Sequence, residues 1–174
     1  MKFTMSDLVK RLSISKSTLY AHFKSKEALI GAIVDAALAS LRQQKHTILN
    51  DNTLNVAEKL KAVLIAHPPM DVNMRFMHDL KRQFPEEWNK IQQQRDAKWE
   101  TIESLIRQGI EDGYFRSMDA LDLTILRIVF DATVKELMDQ SFFIRNSLSF
   151  VDSMHKIADI LCRGIMKINS LDEA

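Results

Sequence analysis

The chain has 174 residues, 46% of them apolar and 27% charged, a composition that excludes bulk disorder and permits a sizeable core. Four glycines, three prolines and one cysteine leave hairpin-rich folds short of turn residues and exclude an internal disulfide. The net charge of +1 conceals an asymmetry, because residues 1–27 are net +4 and the remainder is therefore −3. A basic head on a mildly acidic body suits a nucleic-acid-binding segment attached to a body with another task. No apolar run approaches the roughly 18–20 residues needed to span a bilayer, and no signal peptide opens the chain. A soluble, cytoplasmic, all-α protein without a membrane partner is the expectation.

Thr4 is placed to cap a first short helix, with Asp7 at its third position and Leu8, Val9 and Leu12 on its apolar side. Ser13-Ile14-Ser15 interrupts it, and Ser15 caps a second helix from Lys16 to about Phe23 whose inward residues are Leu19 and Phe23. That leaves Lys16, Ser17, Thr18, Tyr20, Ala21 and His22 on the exposed sides, with Ser25 capping a third helix at Lys26. Two short helices joined by a tight turn, with donors along the second, are the arrangement that reads DNA. Lys16, Tyr20, His22 and Lys26 can reach phosphates or bases, while the small Ser, Thr and Ala side chains permit close approach. The plainer alternative is a helical hairpin with a solvated basic face.

The third helix is expected to run to about Gln44, burying Leu29, Ile33, Ala36/Ala37 and Ser40/Leu41, with Gly31 packed closely against the head. A polar break at Asn50–Thr53 precedes a helix from about Asn55 to Ala66, on which Val56, Leu60, Val63 and Leu64 are apolar. His67-Pro68-Pro69 ends it, and Met70–Phe84 is helical again. Pro85 opens a long helix to about Gly109, its apolar side traced by Trp88, Ile91, Trp99, Ile102, Leu105 and Ile106. Gly113 supplies a left-handed end. Two last helices follow, about Asp119–Gln140 and Ser147–Ile168. The first is apolar on more than one side, and the second carries the stripe Phe150, Met154, Ile157, Leu161, Ile165 and Ile168 with Val151, Ala158 and Cys162 beside it. Such surplus apolar surface suggests a partner.

The residues Thr4-Met5, Asp7-Leu8-Val9, Ser15-Lys16, Thr18-Leu19-Tyr20, His22-Phe23 and Lys26-Glu27 closely resemble the signature of the tetracycline-repressor (TetR) family of bacterial transcriptional regulators. Gln108-Gly109-Ile110 with Gly113 and Phe115-Arg116 is similar to a segment of the family's body. The resemblance implies an N-terminal helix-turn-helix (homeodomain-like) head over residues 1–45 and a C-terminal helical-bundle body over 46–174 that binds an effector and dimerises. It implies that Thr4 touches a phosphate, that Ser15, Lys16 and Ser17 open the recognition helix, that Tyr20 and His22 contact the DNA backbone, and that Lys26 binds phosphate. Ser17 stands where the family usually has glycine, and Ala21 offers only a methyl group where a base-reading side chain is common. The family also has a helix ahead of the Thr4 position. Here Met1-Lys2-Phe3 alone precede it, so a head truncated at its N-terminus, loose around Leu8, Leu12, Leu19 and Phe23, is expected.

By the same resemblance Leu121, Ile125, Ile128, Phe150, Met154, Ile157, Leu161 and Ile165 pair with a second copy as a four-helix bundle. His67, Met70, Met74, Met77, His78, Trp88, Trp99 and Phe130 then border a pocket for a small, largely apolar effector, with Arg75 a further polar anchor. The implied function is a one-component transcriptional regulator, a repressor, that binds a near-palindromic double-stranded DNA operator as a homodimer. The alternative is a truncated, non-DNA-binding dimeric ligand-binding or interaction protein. No cofactor, metal or enzymatic activity is expected. The histidines at 22, 46, 67, 78 and 155 lack ligand spacing, no phosphate loop is present, and Cys162 lies on an apolar stripe as a core residue.

Overall fold

The computed structural model describes residues 3–68, 74–137 and 149–167, with the backbone alone for Met74. Among these the chain is all-helical: α1 (Met5–Leu12), α2 (Lys16–His22), α3 (Lys26–Asn50), α4 (Val56–Ile65), α5 (Met74–Gln83), α6 (Pro85–Glu111), α7 (Ala120–Leu137) and α8 (Phe150–Ile165). The expected helical stretches at Met70–Asn73 and Met138–Gln140, the start at Ser147 and the end at Ile168 lie outside the described residues.

The described residues pack as two compact units, Met1–Ser40 with Pro68–Gln94 and Leu41–His67 with Arg95–Ala174. In the first, Met5, Leu19, Ile30, Val34, Leu38, Leu80 and Phe84 are buried. The buried stripe of α3 is therefore Ile30–Val34–Leu38, one residue round from the expected Leu29–Ile33 register. The helix carries adjoining apolar stripes, and periodicity does not choose between them. Gly31 faces α6: a Cβ there would lie 3.2 Å from the Glu87 carboxylate. The close packing expected against the head is thus made against the first turn of α6. Lys90 links the two helices, with Nζ 2.9 Å from Asp35 and 3.0 Å from Glu87.

In the second unit α4 and α7 both pack on α8. The core joins Leu60 and Val63 of α4, Trp99, Ile102 and Ile106 of α6, Phe130 of α7, and Met154, Ala158 and Ile165 of α8. The third helix outruns its expected end at Gln44 because Ile48 and Leu49 continue its apolar side onto this core. It stops in an Asx turn, where Asp51 accepts the Thr53 N–H and hydroxyl at 2.9 and 2.6 Å. Asn55 and Glu58 then form a capping box on α4. Gly113 has φ +79 and ends α6 as expected, and the Tyr114 N–H returns to the Gly109 carbonyl at 2.8 Å. Gly109 matters for another reason. The buried Phe115 ring lies over it, 2.2 Å from where a Cβ would stand. Phe115 also pairs with Met166 in an isolated antiparallel bridge that ties the end of α8 to this turn. Cys162 is buried, and burial pushes its thiol up to about 11.

Candidate nucleic-acid interface and body cavity

The head's geometry follows from short hydrogen-bonding side chains at the helix ends. Thr4 and Asp7 form a capping box. The Thr4 hydroxyl accepts the Asp7 N–H at 3.2 Å, and the Asp7 carboxylate accepts the Thr4 N–H and hydroxyl at 2.8 Å each. These bonds, the backbone one foremost, hold the Asp7 carboxyl below its ordinary range. At the other end of α1, Ser13 takes the left-handed conformation at φ 53 and its N–H caps the Lys10 and Val9 carbonyls. Ile14 tucks half-buried behind it.

Ser15 opens α2, its hydroxyl accepting the Thr18 N–H at 3.0 Å and sharing hydrogen bonds with the Ser17 and Thr18 hydroxyls at 2.7 and 2.8 Å. Leu19 is the one fully buried residue of α2, at 4% exposure. Ser15 and, on α2, Lys16, Ser17, Thr18, Tyr20, Ala21 and His22 are exposed together. Lys26 differs from them. It is half-buried, its ammonium donates to the Phe3 carbonyl at 2.9 Å, and it sits 4.4 Å from the centre of the Phe3 ring. Around this motif Leu8 and Phe23 are half-buried, and Leu12 stands 58% exposed at the end of α1.

The expected pocket residues fall in different places. Met77 and Trp88 are half-buried and Arg75 and His78 exposed in the first unit, where Lys81 lies over the Trp88 ring at 5.7 Å. Trp99 and Phe130 are buried in the second unit, packed edge to face at 5.7 Å. Met70 and the Met74 side chain lie outside the described residues. His67 lines a half-open cavity of ≈ 250 Å³ in the second unit, whose walls come from the end of α3, the end of α4 and the start of α8. Of the expected pairing residues, Leu121, Ile125 and Ile128 are 66%, 50% and 56% exposed. Phe150, Ile157 and Leu161 are half-buried, and Met154 and Ile165 belong to the chain's own core.

Lys98 went unnoticed in the sequence. Its ammonium turns inward and donates to the Leu64 and Ala66 carbonyls at the end of α4, both at 3.1 Å. It lies 5.6 Å from the Phe130 ring, and burial brings its pKa down to about 8 against the raising influence of Asp131. The signal was a lysine on the apolar side of α6, seven residues after Ile91 and four before Ile102. Beside it, Arg95 and Arg127 of α6 and α7 pair with Asp131 and Asp96 at 2.7 and 2.6 Å.

Among the described residues a helix-turn-helix, α1 and α2, opens an all-helical chain and a helical body follows it. Residues 2–33 match the family described as bacterial regulatory proteins, tetR family. A Bacillus subtilis (strain 168) protein described as an uncharacterized HTH-type transcriptional regulator, YvaF, is 28% identical over 165 residues, covering 94% of this chain and 85% of that protein. The HTH-type transcriptional repressor KstR2 of Mycobacterium tuberculosis is 28% identical over 142 residues, 75% of this chain and 67% of its own. The solved structure of that ketosteroid transcriptional regulator superimposes with a TM-score of 0.61 at 21% identity, covering 95% of this chain and 86% of that one. The TetR family regulator PfmR of Thermus thermophilus superimposes with a TM-score of 0.64 at 24% identity, covering 92% and 88%. Residues 2–33 thus carry the match to the tetR family, and most of the chain is similar to HTH-type transcriptional regulators. Its sequence relatives are transcriptional regulators rather than enzymes, and among the described residues no helix is long and apolar enough to cross a membrane.

Proposed function

We propose that this protein is a one-component transcriptional repressor of the cytoplasm. It binds a near-palindromic operator as a homodimer and is released by a small, largely apolar effector. The division of labour is a DNA-reading head over residues 1–45 and an effector-binding, dimerising body over 46–174. The observation that carries this reading is α2, anchored by Leu19 and presenting Lys16, Ser17, Thr18, Tyr20, Ala21 and His22 to solvent. In such a motif the second helix enters the major groove, phosphate contacts set its register and base contacts give specificity. Ser17 and Thr18 suit base edges, Lys16, Tyr20 and His22 suit phosphates, and Ala21 suits a thymine methyl. Thr4 and Lys26 flank the groove from the ends of α1 and α3.

A single short helix reads too few base pairs for an operator, and a second copy supplies the rest. Leu121, Ile125, Ile128 and Val129 of α7 and Ile160 of α8 are exposed apolar side chains suited to burial between two copies, and Gly164 has open space above it. The effector acts by binding one head spacing more tightly than the other. An electrophoretic mobility shift on DNA upstream of the protein's own gene tests the reading. Retardation by the wild type, weakened on every sequence by Tyr20→Ala, is expected; the absence of any retarded complex at micromolar protein sinks it. Light scattering tests the dimer. Gly164→Leu fits the isolated chain and should halve the mass, whereas a monomeric wild type removes the claim.

A further inference from the structure

We infer that the cavity beside His67 is a site for a compact, mainly apolar alcohol or phenol, its hydroxyl donating to His67 Nε2. The inference rests on the reading that the body takes a small effector, and it names that ligand's chemistry. The volume, ≈ 250 Å³, lies just below the roughly 300–1,000 Å³ of ordinary small-molecule sites, so the occupant is compact. Ile48, Ile65 and Met154 make apolar walls. The polar lining is Gln44, His67 and His155, with no lysine or arginine, so a carboxylate or phosphate meets no permanent counter-charge there.

His67 is fixed in place. Its Nδ1 lies 3.0 Å from the Ile65 carbonyl, its own carbonyl accepts from Gln44 Nε2 at 3.0 Å, and its ring meets Phe150 edge-on at 5.9 Å. A carbonyl can only accept, so Nδ1 carries the hydrogen and Nε2 of the neutral ring is an acceptor. No described residue bonds that nitrogen. A preset acceptor on an apolar wall selects a ligand with one hydroxyl and rejects the same skeleton without it.

The test uses the full chain, with 2-naphthol and its methyl ether 2-methoxynaphthalene as probes in calorimetric titrations. The wild type should bind 2-naphthol about tenfold or more tightly than the ether. Nitrogen NMR should show a shift at His67 Nε2 on adding 2-naphthol, a readout that needs no variant. His67→Phe should bind both equally, and Ala62→Leu, which fills the cavity, should bind neither. Equal affinity of the wild type for the two compounds, or binding undiminished in Ala62→Leu, overturns the inference. No heat with either compound also overturns it while leaving DNA binding to stand on the mobility shift. Selective binding of 2-naphthol by a chain that retards no DNA upholds the cavity and removes the repressor reading.

Discussion

The helix-turn-helix and the body core are held together by different means. In α1 and α2 short side chains do most of the work, with Thr4, Asp7 and Ser15 closing helix ends and Met5 and Leu19 the only buried residues. In the second unit long apolar side chains from α4, α6, α7 and α8 interlock, and Leu60, Ile102, Ile106 and Ala158 are sealed from solvent at 1% exposure or less. The first arrangement leaves α2 exposed on most sides, as a helix must be if it is to enter a groove. The second suits a scaffold, with a cavity where three helix ends meet.

This contrast can be broken by mutation, and the largest effects belong to the body. Phe115→Ala empties a buried aromatic site and should cost about 3–5 kcal/mol in denaturant unfolding. Gly109→Ala drives a Cβ into the same ring and should cost about 1–3 kcal/mol. A loss under 0.5 kcal/mol for either, roughly a surface-site value, would mean that this turn is not part of the core. The pH dependence comes next. The folded-state pKa of Lys98 is lowered to about 8, so the folded chain releases this proton before the unfolded chain does. The contribution of Lys98 to stability therefore rises with pH between its folded and unfolded values. Cys162, raised to about 11, acts oppositely above the ordinary thiol value of 9.0, so the rise is cleanest between pH 8 and 9. It should amount to about 1 kcal/mol there and vanish in Lys98→Met.

Smaller effects sharpen the head. Thr4→Ala removes a cap worth about 1 kcal/mol, and amide exchange should quicken in α1 while the α6 and α8 amides keep their rates. Equal acceleration throughout would show that the chain opens as one cooperative unit. Gly31→Ala gains up to about 1 kcal/mol of helix propensity but presses on Glu87. We expect a near-neutral change alone and a stabilising one combined with Glu87→Asp; the same value in both backgrounds removes the packing account.

What could be read from the sequence divides along the same line. Thr4, Asp7, Ser15 and Ser25 act on backbone within a few residues, so their caps and the α1–turn–α2 unit were legible from spacing. The break after α3, the Gly113 turn and the apolar positions of α4 were legible for the same reason. The buried face of α3 was not, because adjoining apolar stripes leave the choice to tertiary packing. Lys98 at the end of α4, and the meeting of His67 with Met154 in one cavity wall across 87 positions of sequence, depend on which helices pack together. Spacing along α6 puts Lys98 on its apolar side but does not say which helix end it meets.

The central claim is that α2 binds DNA through its exposed face. Fluorescence anisotropy on a labelled duplex from the upstream region, titrated at salt from about 50 to 200 mM, tests it most directly. Affinity should fall linearly on logarithmic axes, and Lys16→Ala should flatten that slope by about 1. A wild-type chain whose affinity ignores salt, or a slope that Lys16→Ala leaves untouched, would contradict it.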